Sequence, residues 1–318
     1  MIAAARLGLS VGSVGHVGSD VYGRYVDEVL QAESVQSAEM VAPTVMGSEL
    51  DKTLVCFVLV DPSHRHAFCS RYDFGPWPLL QGITSLPPGS GQRLANTKAM
   101  WTNGFVFDEL PLPIVVSACE QTIASGAAIF FDPGPRCFTM LEGDRRAALD
   151  TLLNWSDVVL MTEEEAHTVT GLDDPDAAAR WVLDRPGART EWAIVKLGSR
   201  GALLRSRAHG RTYTSPGVPV EVRDTVGCGD SFAAAVVLGF TRRFSIPATL
   251  ALANAVGAAT ATGRGAGTNV ARAAKVMELL QWGAREHGEA GARDAAREAA
   301  GDLEASLSLS AGAARAAA

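Results

Sequence analysis

From residue 99 onward, short apolar runs alternate with stretches patterned for helices, and no other feature constrains the fold of this chain as much. AMWTNGFVF, AAIFFDPGPR, DVVLMT and EWAIVKLGSRG read as strands or strands running into loops. VVSACEQTIASG, EGDRRAALDTLLNWS, EEEAHTVTG and DPDAAARWVLDR lie between them as helices, with Gly126 and Gly171 as stops. GALLRSRAHGRTYTSP predicts a hairpin, and ATLALANAVGAATAT and NVARAAKVMELLQWG predict two late helices. Such alternation argues for an α/β protein whose mostly parallel sheet is covered by helices on both faces. Ligands of these sheets sit beyond the carboxyl ends of the strands. DPGPR, MTEEE, LGSRG and TVGCGD all fall at strand ends, so they can share one crevice.

The first 98 residues are less regular. MIAAARLG predicts a helix stopped at Gly8, and SVGSVGHVG a strand of small residues. SDVYGRYVDEVLQ follows as a helix capped by Ser19 or Asp20. GSVGHVG imitates a dinucleotide-binding turn, but its spacing is wrong for one. Residues 51–74 read as a hairpin, LVCFVLV and HAFCSRY around the turn DPSHR. At the other end, residues 283–318 are rich in Ala, Gly and charge and poor in bulky apolar groups. They read as a low-complexity tail that buries no core.

Bulk properties remove several classes of function. A net charge of −7 argues against nucleic acid as a partner. The five cysteines form no CxxC pair and read as free thiols in a reducing compartment. No apolar run approaches the length of a membrane span.

The most informative stretch is RDTVGCGDSFAAAVVLGF, residues 223–240. EVRDTV reads as a strand end, and SFAAAVVLGF as a buried helix of small residues. Gly227 and Gly229 then lie in a strand-to-helix turn. Glycine there lets a ligand approach the backbone, and the helix start presents N–H groups to an anion. Asp230 stands beside that anion site as a base for a hydroxyl proton, an arrangement suited to phosphoryl transfer. A plain helix-capping role for the aspartate is the simpler alternative.

DTVGCGDSF resembles the late signature of the ribokinase-like sugar kinases, the PfkB family, with Cys228 in place of the usual alanine. ARLGLSVGSVGHVGSDVYG, FFDPGPR, VKLGSRGALL and ANAVGAATATGRGAG are similar to further family segments in the same order. The resemblance covers roughly residues 1–280, and the whole looks most like a plant branch of the family. It implies a ribokinase-like three-layer α/β/α sandwich over residues 1–282, with a small β lid to which 51–74 belongs. It implies an ATP-dependent kinase acting on a hydroxyl of a small sugar or nucleoside. Asp230 matches the catalytic base, and Gly227, Cys228 and Gly229 match the anion hole. Lys196, Gly198 and Gly201 match the nucleotide loop, with Lys196 where threonine is usual. Thr225 and Asn254 match further nucleotide positions. Glu165 matches a glutamate that acts on Mg2+ through water, although the asparagine of that motif is Thr162 here. Three acids at a helix start also complement the helix dipole, so Glu165 has two readings. Asp224, Val226, Thr260, Gly263, Gly265 and Asn269 match a loop for a monovalent cation such as K+. Cys228 reads as a small residue, or as a thiol activated at a helix start.

The family pattern opens with a strand carrying a substrate aspartate and a Gly-Gly…Asn motif. Neither is present before Met1, which predicts a truncated form of the family's domain. Two readings follow: a kinase, or a catalytically impaired kinase-like scaffold or binding subunit. Partners are expected to be small molecules, with neither nucleic acid nor membrane, and a homodimer through the lid. A cytoplasmic location is the default, and a plastid one follows if a transit peptide precedes Met1.

Overall fold

The computed structural model describes residues 1–40, 52–61, 66–70, 77–86 and 89–317. In chain order it begins with α1 (Ile2–Arg6), β1 (Gly12–Gly15), α2 (Val21–Ala32) and β2 (Gln36–Met40). There follow β3 (Cys56–Val60), β4 (His66–Ser70), α3 (Ser90–Ala95), β5 (Ala99–Asn103), α4 (Val106–Glu109) and α5 (Leu112–Ala124). Next come β6 (Ala128–Asp132), α6 (Gly143–Trp155), β7 (Val158–Thr162), α7 (Glu163–Thr170) and α8 (Pro175–Leu183). The strands end with β8 (Trp192–Lys196), β9 (Ala202–Ser206) and β10 (Arg211–Ser215). Four helices close the chain: α9 (Cys228–Arg242), α10 (Ile246–Ala261), α11 (Ala273–Glu286) and α12 (Ala290–Ala317).

Six strands hydrogen-bond in the order β10-β9-β8-β7-β6-β5. β5, β6 and β7 pair in parallel, whereas β8, β9 and β10 pair antiparallel, so the sheet is mixed. The chain divides into two compact units, one of residues 12–159 and 184–190, the other of residues 1–11, 160–183 and 191–318.

In the first unit, β6 carries Ile129, Phe130 and Phe131, all fully buried. This unbroken apolar run, without alternation, is what a parallel strand covered on both faces requires. Its register is set against β5, from Ala99 opposite Ala128 to Asn103 opposite Asp132. Asp108 is buried, and two guanidiniums offset its desolvation, Arg136 Nε at 3.0 Å and Arg145 at 2.8 Å. Asp20 caps α2 by accepting the Gly23 N–H at 2.8 Å, and also takes the Thr53 hydroxyl at 2.7 Å. β3 and β4 form the expected antiparallel hairpin, Cys56 opposite Ser70 and Val60 opposite His66. The rest of its turn, residues 62–65, lies outside the described residues.

The second unit is built on β8, whose Ala193, Ile194 and Val195 are fully buried. α9 and α10 pack closely because Gly239 has no side chain. A Cβ there would lie 2.4 Å from Thr249 Oγ1. The predicted tail does not hold as an expectation. Residues 283–286 complete α11, and residues 290–317 form α12, which packs on α10 and α11. Ala295, Ala296, Ala299, Leu303 and Ser306 are buried along one face of it. Alanine lets this helix approach closely: a Cβ on Gly283 of α11 would lie 3.2 Å from the Ala296 Cβ. A segment poor in bulky side chains thus buries a face by short interaxial distance rather than by side-chain volume.

Candidate active site

The residues matched to chemistry lie in the second unit, and most gather around the start of α9. The expected strand over EVRDTV is absent, and residues 216–225 are irregular. Hydrogen bonds replace a ladder: the Arg223 and Asp224 N–H groups donate to the Ala261 carbonyl at 2.8 and 3.3 Å. The Asp224 carboxylate accepts the Val226 N–H at 2.9 Å and the Gly265 N–H at 2.7 Å. β-Propensity at Val222 and Val226 is overridden by these bonds.

Gly227 is the N-cap of α9 with φ +80°, a left-handed conformation that glycine adopts without strain. The Cys228 N–H turns back onto the Thr225 carbonyl at 3.2 Å, so of the expected anion-hole amides this one is spent within the turn. Asp230 is the third residue of the helix and is exposed. From β8, Lys196 reaches the same turn. A methyl placed on Gly229 would lie 3.4 Å from Lys196 Nζ. Cys228 is not an activated thiol. Burial first, then the charges of Asp224 and Asp230, push it up to about 11. The helix start is outweighed by desolvation and two nearby acids.

The connection between β8 and β9 carries Gly198 and Gly201, both at positive φ. Gly198 faces open space, but a Cβ on Gly201 would lie 2.0 Å from the Ser215 carbonyl oxygen. Reciprocally, a Cβ on Gly217 would lie 2.2 Å from the Ser199 carbonyl oxygen. The two backbones therefore interlock. Asn254, buried in α10, fastens the second of them by donating to the Ser215 and Pro216 carbonyls at 3.1 and 3.0 Å. Its amide group is thus directed at backbone, a positioning role. Sequence reasoning missed Gly217. The SPG turn after β10 was the available signal.

α7 opens with a closed capping box. Thr162 Oγ1 accepts the Glu165 N–H at 3.2 Å, and the Glu165 carboxylate accepts the Thr162 N–H at 2.6 Å. One Glu165 oxygen is therefore committed to the helix start. Glu163 pairs with Arg200 of the β8–β9 connection, a link that sequence reasoning also missed. Around Gly263, carbonyl oxygens converge: a Cβ there would lie 2.9 Å from Asn269 O and 3.4 Å from Thr260 O. The Arg6 guanidinium donates to the neighbouring Val270 and Thr268 carbonyls at 2.6 and 3.0 Å. Among the described residues no group of three His, Cys, Asp or Glu side chains is placed to hold a metal ion. No helix among them is long and apolar enough to cross a membrane.

A glycine turn that opens a buried helix, with an exposed aspartate in the first turn, is an arrangement suited to holding an anion beside a base. The profile of the pfkB family carbohydrate kinases matches residues 1–273, and the chain belongs to that family. It is 29% identical over 269 residues to an ATP-dependent ribose-1-phosphate kinase of Halopiger xanaduensis, covering 83% of this chain and 79% of that one. To a fructokinase of Klebsiella pneumoniae it is 26% identical over 274 residues, covering 84% and 85%. The fold matches that of an Arabidopsis thaliana ribokinase complexed with ribose and ATP, with a TM-score of 0.72 at 19% identity over 88% and 85% of the two chains.

Proposed function

We propose that this carbohydrate kinase transfers the γ-phosphoryl group of ATP to a hydroxyl of a small sugar or nucleoside, with Asp230 as the base. The observation that carries this reading is Asp230 in the first turn of α9, directly after Gly227 and Gly229. The acceptor hydroxyl gives its proton to the Asp230 carboxylate. Its oxygen bonds to the γ-phosphorus as the bond to the bridging oxygen breaks, and ADP leaves with that electron pair. Gly227 and Gly229 keep side chains away from the phosphates, and the start of α9 offers N–H groups and a positive dipole end to them. Gly198, Gly201 and Thr225 border the nucleotide, and Asn254 holds the backbone that interlocks with its loop. Mg2+, which neutralises phosphate charge when bound, fits an arrangement in which the nucleotide supplies most of its ligands. Glu165 is the chain's own contribution, with one oxygen already committed to Thr162. The carbonyls near Gly263, with Asp224 holding Val226 and Gly265 in place, suit an oxygen-liganded K+.

The β3–β4 hairpin serves as the lid. Phe57 and Leu59 on it are exposed, at 66% and 63%, which favours a homodimer through this hairpin. Light scattering across a concentration series reads that dimer directly, and Phe57→Lys shifts it toward monomer.

The test of the kinase reading is ADP production with ribose, fructose and nucleosides as acceptors, for the wild type and Asp230→Asn. Turnover falls about 10²–10⁴-fold in the variant while calorimetric ATP affinity stays within a few-fold. Equal, measurable turnover in the two proteins removes Asp230 as the base, and absence of acceptor-dependent ADP production in the wild type puts the scaffold reading in place of the kinase one.

A further inference from the structure

A turn of backbone N–H groups supplies dipoles to a phosphoryl group but no full charge, and the protein as a whole carries −7. The structure brings a lysine ammonium to that turn from another element. Lys196 closes β8, where Ala193, Ile194 and Val195 are fully buried and Lys196 itself pairs across to Ala202. Its Cα is therefore held by the sheet. Its ammonium extends to the first turn of α9, close enough that a methyl on Gly229 would come within 3.4 Å of Nζ. Gly229 immediately precedes Asp230, so the ammonium, the glycine backbone and the base share one turn.

The other polar groups near this end of the sheet are occupied differently. Thr162 and Glu165 bond to each other's backbone in the capping box, and Arg200 is engaged with Glu163. Asn254 is directed at the carbonyls of Ser215 and Pro216. Lysine is suited to phosphate as a compact charge with three donors, whereas threonine at the same position offers a hydroxyl and no charge.

We infer that Lys196 is a catalytic residue that neutralises the phosphoryl group in flight, rather than only a residue of the nucleotide loop. The inference rests on the kinase reading above. As the acceptor oxygen–phosphorus bond forms and the bond to the ADP oxygen breaks, charge collects on the three equatorial oxygens. The Lys196 ammonium balances that charge, while Asp230 takes the acceptor proton. An interaction stronger in the transition state than with bound nucleotide raises turnover rather than affinity.

The experiment compares Lys196→Met, Lys196→Arg and Lys196→Thr with the wild type in turnover and in calorimetric binding of two probes. The probes are ADP, and ADP with aluminium fluoride as a mimic of the phosphoryl in flight. For Lys196→Met, turnover and affinity for ADP–aluminium fluoride each fall about 10²–10³-fold, while affinity for ADP alone changes less than about threefold. Lys196→Arg recovers part of both losses, and Lys196→Thr behaves like the methionine variant. Equal weakening of both probes makes Lys196 a ground-state nucleotide contact and overturns the inference, as does unchanged binding of both. Asp230→Asn is measured alongside. Absence of acceptor-dependent turnover in the wild type sinks the kinase reading itself, and full turnover in Asp230→Asn sinks only the role of that residue as base. An inactive Asp230→Asn beside a fully active Lys196→Met sinks only the role given to Lys196.

Discussion

The Asp224 carboxylate accepts the Gly265 N–H at 2.7 Å, tying the segment before α9 to the loop after α10. Its other oxygen takes the Val226 N–H, so one side chain organises both borders of the glycine turn. A charge-assisted bond of this kind is worth about 1.5–3 kcal/mol. Asp224→Ala loses both bonds and lowers the denaturation midpoint accordingly. Asp224→Asn keeps an acceptor for one amide and loses about half as much. Urea unfolding of the two variants checks the order, and an equal loss in both contradicts this account of the loops.

Gly201 and Gly198 are both at positive φ, three residues apart, yet substitution separates them. Gly198→Ala meets open space and costs about 1 kcal/mol of backbone strain. Gly201→Ala drives a methyl to 2.0 Å from the Ser215 oxygen, so the loop must separate from residues 215–217. The expected outcome is a much larger stability loss than for Gly198→Ala and a higher KM for ATP. Thermal unfolding and nucleotide titration of the two alanine variants measure this directly.

Cys228 sits beside the proposed base but is a poor nucleophile, its thiol pushed up to about 11 by burial and by the acids at 224 and 230. The thiolate is a small fraction at neutral pH and rises roughly tenfold per pH unit below that value. Mass mapping after brief iodoacetamide treatment at neutral pH finds the exposed Cys56 and Cys69 modified and Cys228 unmodified. Its labelling rate climbs with pH toward the shifted value. Rapid labelling at pH 7 contradicts the environment described for it.

Leu303 and Leu309 lie on the same helix, α12, with opposite surroundings. Leu303 is fully buried, and Leu309 is 60% exposed. Leu303→Ala costs about 2–5 kcal/mol, as truncations in a packed core do. Leu309→Ala changes stability by less than about 0.5 kcal/mol. Denaturant midpoints for the pair test whether α12 is part of the core, and equal effects show that it is not.

Much of this architecture is legible in the chain. The apolar AIFF and VVLM runs are buried parallel strands, because covering both faces removes any reason for alternation. Gly126 and Gly171 stop helices where expected, both in the left-handed conformation. The glycine turn before α9 is visible because few residues other than glycine hold φ +80° without strain. EVRDTV misleads for a physical reason. Its valines favour a strand locally, but Asp224 finds amide partners 2 and 41 residues along the chain. α12 misleads in the opposite sense, since its alanines look too small for a core until a neighbouring glycine allows close approach.

By itself the sequence determined the α/β pattern, the family motifs and the candidate base, because these depend on local periodicity and on residue types with few substitutes. The tertiary structure alone decided that Lys196 Nζ reaches Gly229, that Asn254 serves the backbone of residues 215–216, and that the Cys228 thiol is suppressed. Those outcomes depend on distances between residues tens of positions apart and on how deeply each group is desolvated, and neither is encoded in local spacing.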